Sequence, residues 1–211
     1  MTRFSVCPAL VLRVRPSGEA NREAFFLTAE TGVTRATLYG GPKSKLRSYV
    51  SQFHSGGLYL YHDPVRSSYK VTDFDVRNWR PGIRESYDRT MAAAAIVETA
   101  LAGFGGGCNW AEALEQTNAA LDAIESSADS NVLRVLVHFL WNWAELTGIH
   151  TGARAVTLSP VSRRWLEASS ELPAAEVRSL GLDSASLLEV KNFCTGLIAA
   201  ALGRRLKSWD W

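Results

Sequence analysis

The chain has 211 residues and a mass of 23.1 kDa, and its 46% hydrophobic and 21% charged residues exclude a disordered or collagen-like protein. No apolar run reaches the roughly eighteen residues of a bilayer span and the first five residues lack the pattern of a signal peptide, so we expect a cytoplasmic protein without membrane contact. The net charge of +2 hides an asymmetry, because residues 1–82 carry +6 and residues 83–211 carry −4. This asymmetry favours a nucleic-acid-binding domain joined to an acidic one.

Alternation of apolar and polar residues predicts five short strands in the first part of the chain. These strands are Cys7 to Arg15, Glu23 to Ala29, Val33 to Tyr39, Gly57 to His62 and Tyr69 to Val76. In the first strand the alternation places one set of residues on the inner face and the other set towards water. The inner set is Leu10, Leu12 and Val14, and the outer set is Val11, Arg13 and Arg15. Five strands in about eighty residues favour a small barrel, and we predict an OB-fold domain over residues 1–82.

The apolar period changes to that of a helix after Arg80-Pro81-Gly82, which predicts an all-helical domain over residues 83–211 and an α+β protein overall. The predicted helices are Ser86 to Phe104, Asn109 to Ser126, one beginning near Ser130, one beginning at Pro160 after a Ser159 cap, and Asp183 to Lys207. The stripe predicted to be buried in the first helix is Tyr87, Met91, Ala94, Val97, Leu101 and Phe104. The third helix is apolar around most of its surface, which predicts the centre of a bundle. Its polar stripe is Arg134, His138, Asn142 and Glu145.

The sequence contains no catalytic motif. The segment Gly41-Pro42-Lys43-Ser44 lacks the adjacent Gly-Lys and the earlier glycine of a phosphate-binding loop. The four histidines have no metal-ligand spacing, and no nucleophile signature occurs. We therefore expect a protein that is not an enzyme and needs no cofactor.

Cations and aromatic residues are concentrated in the predicted barrel. The cations that could form a DNA-binding groove are Arg13, Arg15, Arg22, Arg35, Lys43, Lys45 and Arg47, and the tyrosines of the same region are Tyr39, Tyr49, Tyr59, Tyr61 and Tyr69. OB-folds that bind single strands use aromatic rings as stacking platforms beside a cationic groove, although strand aromatics more often belong to the core. We predict that the seven cations bind phosphates and that Tyr39 lies beside them.

Three segments of the first part resemble the amino-terminal domain of the RecO family of bacterial recombination mediators. They are residues 9–22 (ALVLRVRPSGEANR), 26–32 (FLTAETG) and 39–46 (YGGPKSKL), with the order and spacing of that family. The resemblance implies a DNA repair and recombination protein at the bacterial nucleoid. Such a protein binds single- and double-stranded DNA, anneals complementary strands, and loads RecA together with RecR and single-stranded-DNA-binding protein.

The chain departs from the RecO pattern at the zinc module. Many RecO proteins carry four cysteines after a helix that ends in glycine, whereas here Gly148 is followed by residues 149–155 without a cysteine. Cys7, Cys108 and Cys194 are too far apart in sequence to supply a four-cysteine site or a disulfide framework. We therefore expect a zinc-free member with no metal.

Two other functions fit the sequence. The helical domain could be an adaptor, because the acidic tail of single-stranded-DNA-binding protein, as the resemblance implies, docks in a groove with a basic rim. Cations that could form this rim are Arg163, Arg164, Arg204, Arg205 and Lys207, and the last three are equally explained by favourable placement at a helix C-terminus. The barrel could also bind RNA, since the charge and aromatic content suit RNA as well as DNA.

Overall fold

The computed structural model describes residues 3–41, 44–103, 109–149 and 157–209, and its first part is a closed five-stranded barrel. The strands are β1 (Phe4–Ser17), β2 (Asn21–Thr28), β3 (Gly32–Leu38), β4 (Ser55–Asp63) and β5 (Ser68–Asn78). They pair in the order β1-β2-β3-β5-β4 and back to β1. All pairings are antiparallel except that of β3 with β5, which is parallel. The predicted barrel and its α+β class are confirmed.

The long first strand closes the barrel because its two halves pair with different neighbours. Phe4 to Leu10 pairs with β4, and Ala9 to Ser17 pairs with β2. A β-bulge between Val11 and Arg13 shifts the alternation of side chains within this strand.

The bulge overturns the predicted faces of the first strand. Val11, predicted to face water, belongs to the barrel core, and Val14 packs partly against the same core beyond the bulge. Leu10 and Leu12 are also buried, so the middle of the strand is buried on both faces. Arg13 and Arg15 are exposed as predicted.

The segment before β4 covers one end of the barrel. A short helix α1 (Leu46–Tyr49) packs Leu46 and Tyr49 against the barrel core. The next residues are held by backbone bonds, in which the Phe53 amide donates to the Val11 carbonyl at 3.1 Å. Arg80 is only 1% exposed and donates from Nη1 to the Phe53 carbonyl at 2.6 Å. A buried guanidinium thus fixes a residue whose φ of +77° lies in the left-handed region.

The second part of the chain is helical. It comprises α2 (Tyr87–Ala102), α3 (Trp110–Glu125), α4 (Asp129–Leu146), α5 (Pro160–Ser170) and α6 (Ser184–Leu202), with short 3-10 helices at Pro81–Glu85, Val177–Ser179 and Lys207–Trp209. The chain divides into two compact units, and the barrel unit extends to Arg80 and includes Trp110–Leu114. We call the other unit, which holds most of the helices, the helical unit.

Helix α4 has the central place in the helical unit that its apolar surface predicts. Ten of its side chains are buried, including Trp143, and α2, α5 and α6 contact it. Its predicted polar stripe is only partly exposed, because His138 is 5% exposed and is contacted by the Asn142 amide at 3.1 Å.

The structure corrects two predicted details of the helices. Tyr87 is 72% exposed, and the buried face of α2 is mostly alanine, including Ala92 and Ala93, whose small side chains allow neighbouring helices to approach closely. Helix α6 ends at Leu202 rather than at Lys207, because Gly203 adopts the left-handed conformation that terminates helices. Phe104, the predicted end of α2, lies outside the described residues.

By length and composition alone, α6 is also apolar enough to cross a membrane. The core helix of a globular protein passes the same test, and α6 packs against α4 and α5. It also carries a charged residue, Lys191, that is 8% exposed. Of its 18-residue apolar window, 33% is buried.

Candidate nucleic-acid interface

The outer surface of β1, β2 and β3 brings three of the predicted cations together. Phe25 lies opposite Arg13 on one side and opposite Arg35 on the other. Glu23, two residues earlier in β2, lies opposite Arg15. Side chains two residues apart in a strand share a face, so these five residues form two neighbouring rows on the outside of the barrel. We call this set the arginine face.

The arginine face is organised by one carboxylate and one aromatic ring. Glu23 contacts Arg15 at 2.5 Å and Arg35 at 3.4 Å. The guanidinium carbon of Arg15 lies 5.2 Å from the centroid of the Phe25 ring, within range of a cation–π interaction. The side chains of Arg15 and Arg35 remain 50% and 66% exposed. Arg15 and Arg35 share one carboxylate and Arg13 lies in the neighbouring row, so the three arginines and Glu23 carry two net positive charges.

The chemistry available here is anion binding beside an aromatic platform. Guanidinium groups bind phosphate oxygens through paired N–H donors, and an aromatic ring accepts a nucleobase on its face. Guanidinium contacts to phosphates carry no information about base sequence, so this arrangement predicts binding that varies little with sequence.

Three of the other predicted cations lie elsewhere on the barrel unit. Arg22 is half-buried opposite Leu38, near the end of the strands. Lys45 is exposed just before α1, and Arg47 donates from Nη2 to the Ala20 carbonyl at 3.4 Å, so it contacts the loop between β1 and β2. Lys43 lies outside the described residues.

Tyr39 lies next to a cation that the sequence did not single out. It is 47% exposed, and the Nζ of Lys70 lies 5.7 Å from its ring centroid. The same ammonium lies 5.6 Å from the ring of Tyr61, so Lys70 of β5 lies between Tyr39, which follows β3, and Tyr61 of β4.

The remaining tyrosines have different roles. Tyr49 of α1 and Tyr69 of β5 are partly buried against the barrel core. Tyr59 is 38% exposed and lies opposite Asp73 on β5.

Sequence reasoning missed Phe25, Glu23 and Lys70. Phe25 and Phe26 are adjacent and look alike, and only the alternation along β2 distinguishes the outer ring from the buried one. Lys70 becomes a neighbour of Tyr39 only through the parallel pairing of β3 with β5.

The five cations predicted for partner binding do not form one cluster. Arg163 and Arg164 lie near the start of α5. The neighbouring residue Ser162 donates a hydrogen bond to Glu189, so this end of α5 packs beside the Glu189 region of α6. The distance from Glu189 to Leu202, the last residue of α6, is about 20 Å along the helix axis, and Arg204 lies beyond that end. The stretch with Arg204, Arg205 and Lys207 lies beyond α6, so helix-dipole placement applies to its first residues only.

Among residues 3–41, 44–103, 109–149 and 157–209, no group of three or more His, Cys, Asp or Glu could hold a metal ion. His150 and residues 151–155, where the zinc module of RecO would lie, fall outside this part of the chain, as do Cys108, Asp210 and Trp211.

Burial lowers the pKa of His138 to about 4, opposed by a hydrogen bond with the Ser169 backbone, so this imidazole is neutral near pH 7.

These features define a five-stranded barrel protein with three exposed arginines on one face. Neither the family models nor the curated proteins compared with this chain match it.

Proposed function

We propose that this protein is a RecO-like mediator of DNA repair and homologous recombination. It binds single- and double-stranded DNA through the barrel and anneals complementary strands. It works with RecR and single-stranded-DNA-binding protein to assist RecA loading, in the bacterial cytoplasm at the nucleoid. The sequence resemblance in residues 9–46 supports the family, and the physical mechanism rests on the arginine face.

The observation that carries the proposal is the exposure of Arg13, Arg15 and Arg35 around Phe25 on one side of a five-stranded barrel. Phosphate binding by these groups releases the counterions of DNA, so affinity falls as salt rises and varies little with sequence. For annealing, neutralising two strands on one surface lowers their mutual repulsion and leaves their bases free to pair.

The test is fluorescence anisotropy of a labelled oligonucleotide across a salt series, with the unsubstituted protein and with Arg13→Gln, Arg15→Gln and Arg35→Gln combined. Each phosphate contact contributes about 0.7 to the slope of log affinity against log salt for a single strand. We expect the triple variant to lose about two phosphate contacts, so that its slope is shallower by about 1.4 and its affinity is lower. An unchanged slope would exclude the arginine face from the binding site.

A matched control removes three cations from the helical unit through Arg164→Gln, Arg204→Gln and Lys207→Gln. It has the same total charge as the first variant, so a specific role for the arginine face requires that the control retain the slope. Loss of DNA binding in the control alone would assign the phosphate contacts to the helical unit. Little DNA binding by the unsubstituted protein would favour the adaptor hypothesis.

Two further measurements address the class of nucleic acid and the reaction. Competition by unlabelled DNA and RNA distinguishes the proposal from an RNA-binding barrel, and we expect DNA to compete better. Annealing of complementary strands, with and without single-stranded-DNA-binding protein, then tests the mediator role. Binding without any acceleration of annealing would contradict that role.

A further inference from the structure

A second surface continues from the arginine face around the barrel. The pairing registers connect Arg15 with Glu23, Glu23 with Thr37, Thr37 with Lys70, Lys70 with Tyr61, and Tyr61 with Phe4. This row crosses every strand and returns to the start of β1. With strands about 4.8 Å apart, the five steps span about 24 Å of barrel surface.

The far half of the row is aromatic. Phe4 is 64% exposed, and its ring centroid lies 5.2 Å from that of Tyr61 in an edge-on arrangement. Lys70 follows, with Tyr39 on its other side at 5.7 Å. We call Phe4, Tyr61, Lys70 and Tyr39 the aromatic strip.

The charges of the aromatic strip differ from those of the arginine face. The Lys70 ammonium lies 3.3 Å from the Asp63 carboxylate. Hydrogen bonds, first from the Arg66 backbone amide and then from Lys70 and Val65, lower the pKa of Asp63, so this carboxylate is ionised near pH 7. The pair has no net charge and attracts phosphates weakly, although the rings of Tyr39 and Tyr61 flank the ammonium.

We propose that the aromatic strip binds the unpaired bases of a single strand whose phosphates are held by the arginine face. This inference rests on the proposed function and names its preferred substrate, single-stranded rather than double-stranded DNA. Aromatic rings stack on all four bases, so this binding depends little on sequence. A cation between the rings adds a cation–π contribution to the binding of a base. A duplex keeps its bases stacked on one another, so it uses only the arginine face.

Acidic residues limit the strip on one side. Asp73 lies opposite Tyr59, and Asp75 lies opposite Gly57, and both carboxylate residues are exposed on β5. They repel phosphates from this part of the barrel, so the path of the strand follows the row through Tyr61 to Phe4 and leaves Tyr59 outside it.

The experiment compares Phe4→Leu and Tyr61→Leu with the unsubstituted protein, because leucine keeps an apolar side chain and removes the ring. The ligands are oligo(dT) of about twelve nucleotides, within the site size of an OB-fold, a hairpin duplex, and an abasic oligonucleotide of the same length. Tyr87→Leu is the matched control, since Tyr87 is a 72% exposed aromatic residue on α2 of the helical unit. Thermal melting followed by circular dichroism checks that each variant is folded.

We expect each strip variant to bind oligo(dT) about tenfold more weakly, as loss of one stacked base predicts, and to bind the duplex and the abasic strand as before. Tyr87→Leu should bind all three ligands unchanged. Photocrosslinking of a 4-thiothymidine oligonucleotide to the unsubstituted protein should label Phe4 or Tyr61, which tests the contact without any substitution.

Two results are distinguishable. If the strip variants bind oligo(dT) normally and the crosslink falls elsewhere, while the triple arginine variant loses binding, the strip is not a base-binding surface and the proposed function stands. If the unsubstituted protein binds neither single strands nor duplex at low salt, the proposed function fails and this inference fails with it.

Discussion

Replacing Glu23 by glutamine should strengthen DNA binding, which is an unusual effect for a substitution inside a binding site. The carboxylate contacts Arg15 at 2.5 Å and Arg35 at 3.4 Å, so it competes with any phosphate for both guanidiniums. Glutamine has nearly the same shape and no charge. It therefore frees the two cations and raises the net charge of the arginine face from two to three.

The expected magnitude follows from the number of phosphates neutralised. If the net charge sets that number, the face binds about two phosphates in the unsubstituted protein and about three in Glu23→Gln. For a single strand the salt slope then deepens from about −1.4 to about −2.1. Lowering salt from about 0.2 M to about 0.05 M should therefore tighten binding at this face about 7-fold in the unsubstituted protein and about 18-fold in Glu23→Gln.

The assay is anisotropy of labelled oligo(dT) at four or more salt concentrations. Glu115→Gln is the control, because Glu115 is an exposed residue of α3 and its loss changes the total charge equally. Removing an exposed ion pair costs at most about 1 kcal/mol of folding free energy, so the barrel of Glu23→Gln remains folded. Weaker binding by Glu23→Gln, or a salt slope equal to that of Glu115→Gln, would refute the assignment of phosphates to this face.

Three further predictions concern stability. Gly56→Ala should destabilise the barrel by several kcal/mol, because its Cβ would lie 1.9 Å from the Asp75 carbonyl oxygen, whereas Gly57→Ala, with contacts no closer than 3.7 Å, should melt nearly as the unsubstituted protein does. The pKa of His138 in the folded protein is about 4, below its ordinary value of 6.5, so the unfolded chain binds the proton first as the pH falls. The free energy of unfolding should therefore decrease between about pH 6.5 and pH 4, by about 2 kcal/mol at pH 5 in a urea titration. His138→Gln should abolish this decrease. Asp183→Ala should cost about 1 kcal/mol in the same assay, because the carboxylate accepts a hydrogen bond from the Ser186 amide at the start of α6, and Asp183→Asn should cost little; equal losses for the two would contradict the capping role.

Local sequence signals were sufficient for the five strands, the five long helices and their order, but they missed the short helix α1. Alternation located all five strands, and the caps Ser86, Ser159 and Asp183 begin helices by accepting backbone hydrogen bonds. These signals act over a few residues, so they are visible without knowledge of the rest of the chain. The end of α6 was missed for a related reason, because basic residues beyond Gly203 resemble the last turn of a helix.

The faces of the strands depended on structure that the sequence does not display. The bulge at Val11 and Arg13 reverses the alternation, and a periodic pattern cannot reveal one extra residue. The strip from Tyr39 to Phe4 likewise exists only through strand registers that join distant segments. The sequence therefore predicted that cations are concentrated in the first part of the chain, but it could not predict which of them share a face.

The two surfaces of the barrel have opposite consequences for annealing, if the proposed function holds. The arginine face binds single strands and duplex alike, whereas the aromatic strip loses its ligands when bases pair. Pairing therefore removes part of the binding free energy, and the duplex product is held less tightly than either strand. Because the strip has only three rings, most bases of a bound strand stay free to find their partners. A barrel with both surfaces would bring strands together and then release the duplex, with no energy source other than base pairing.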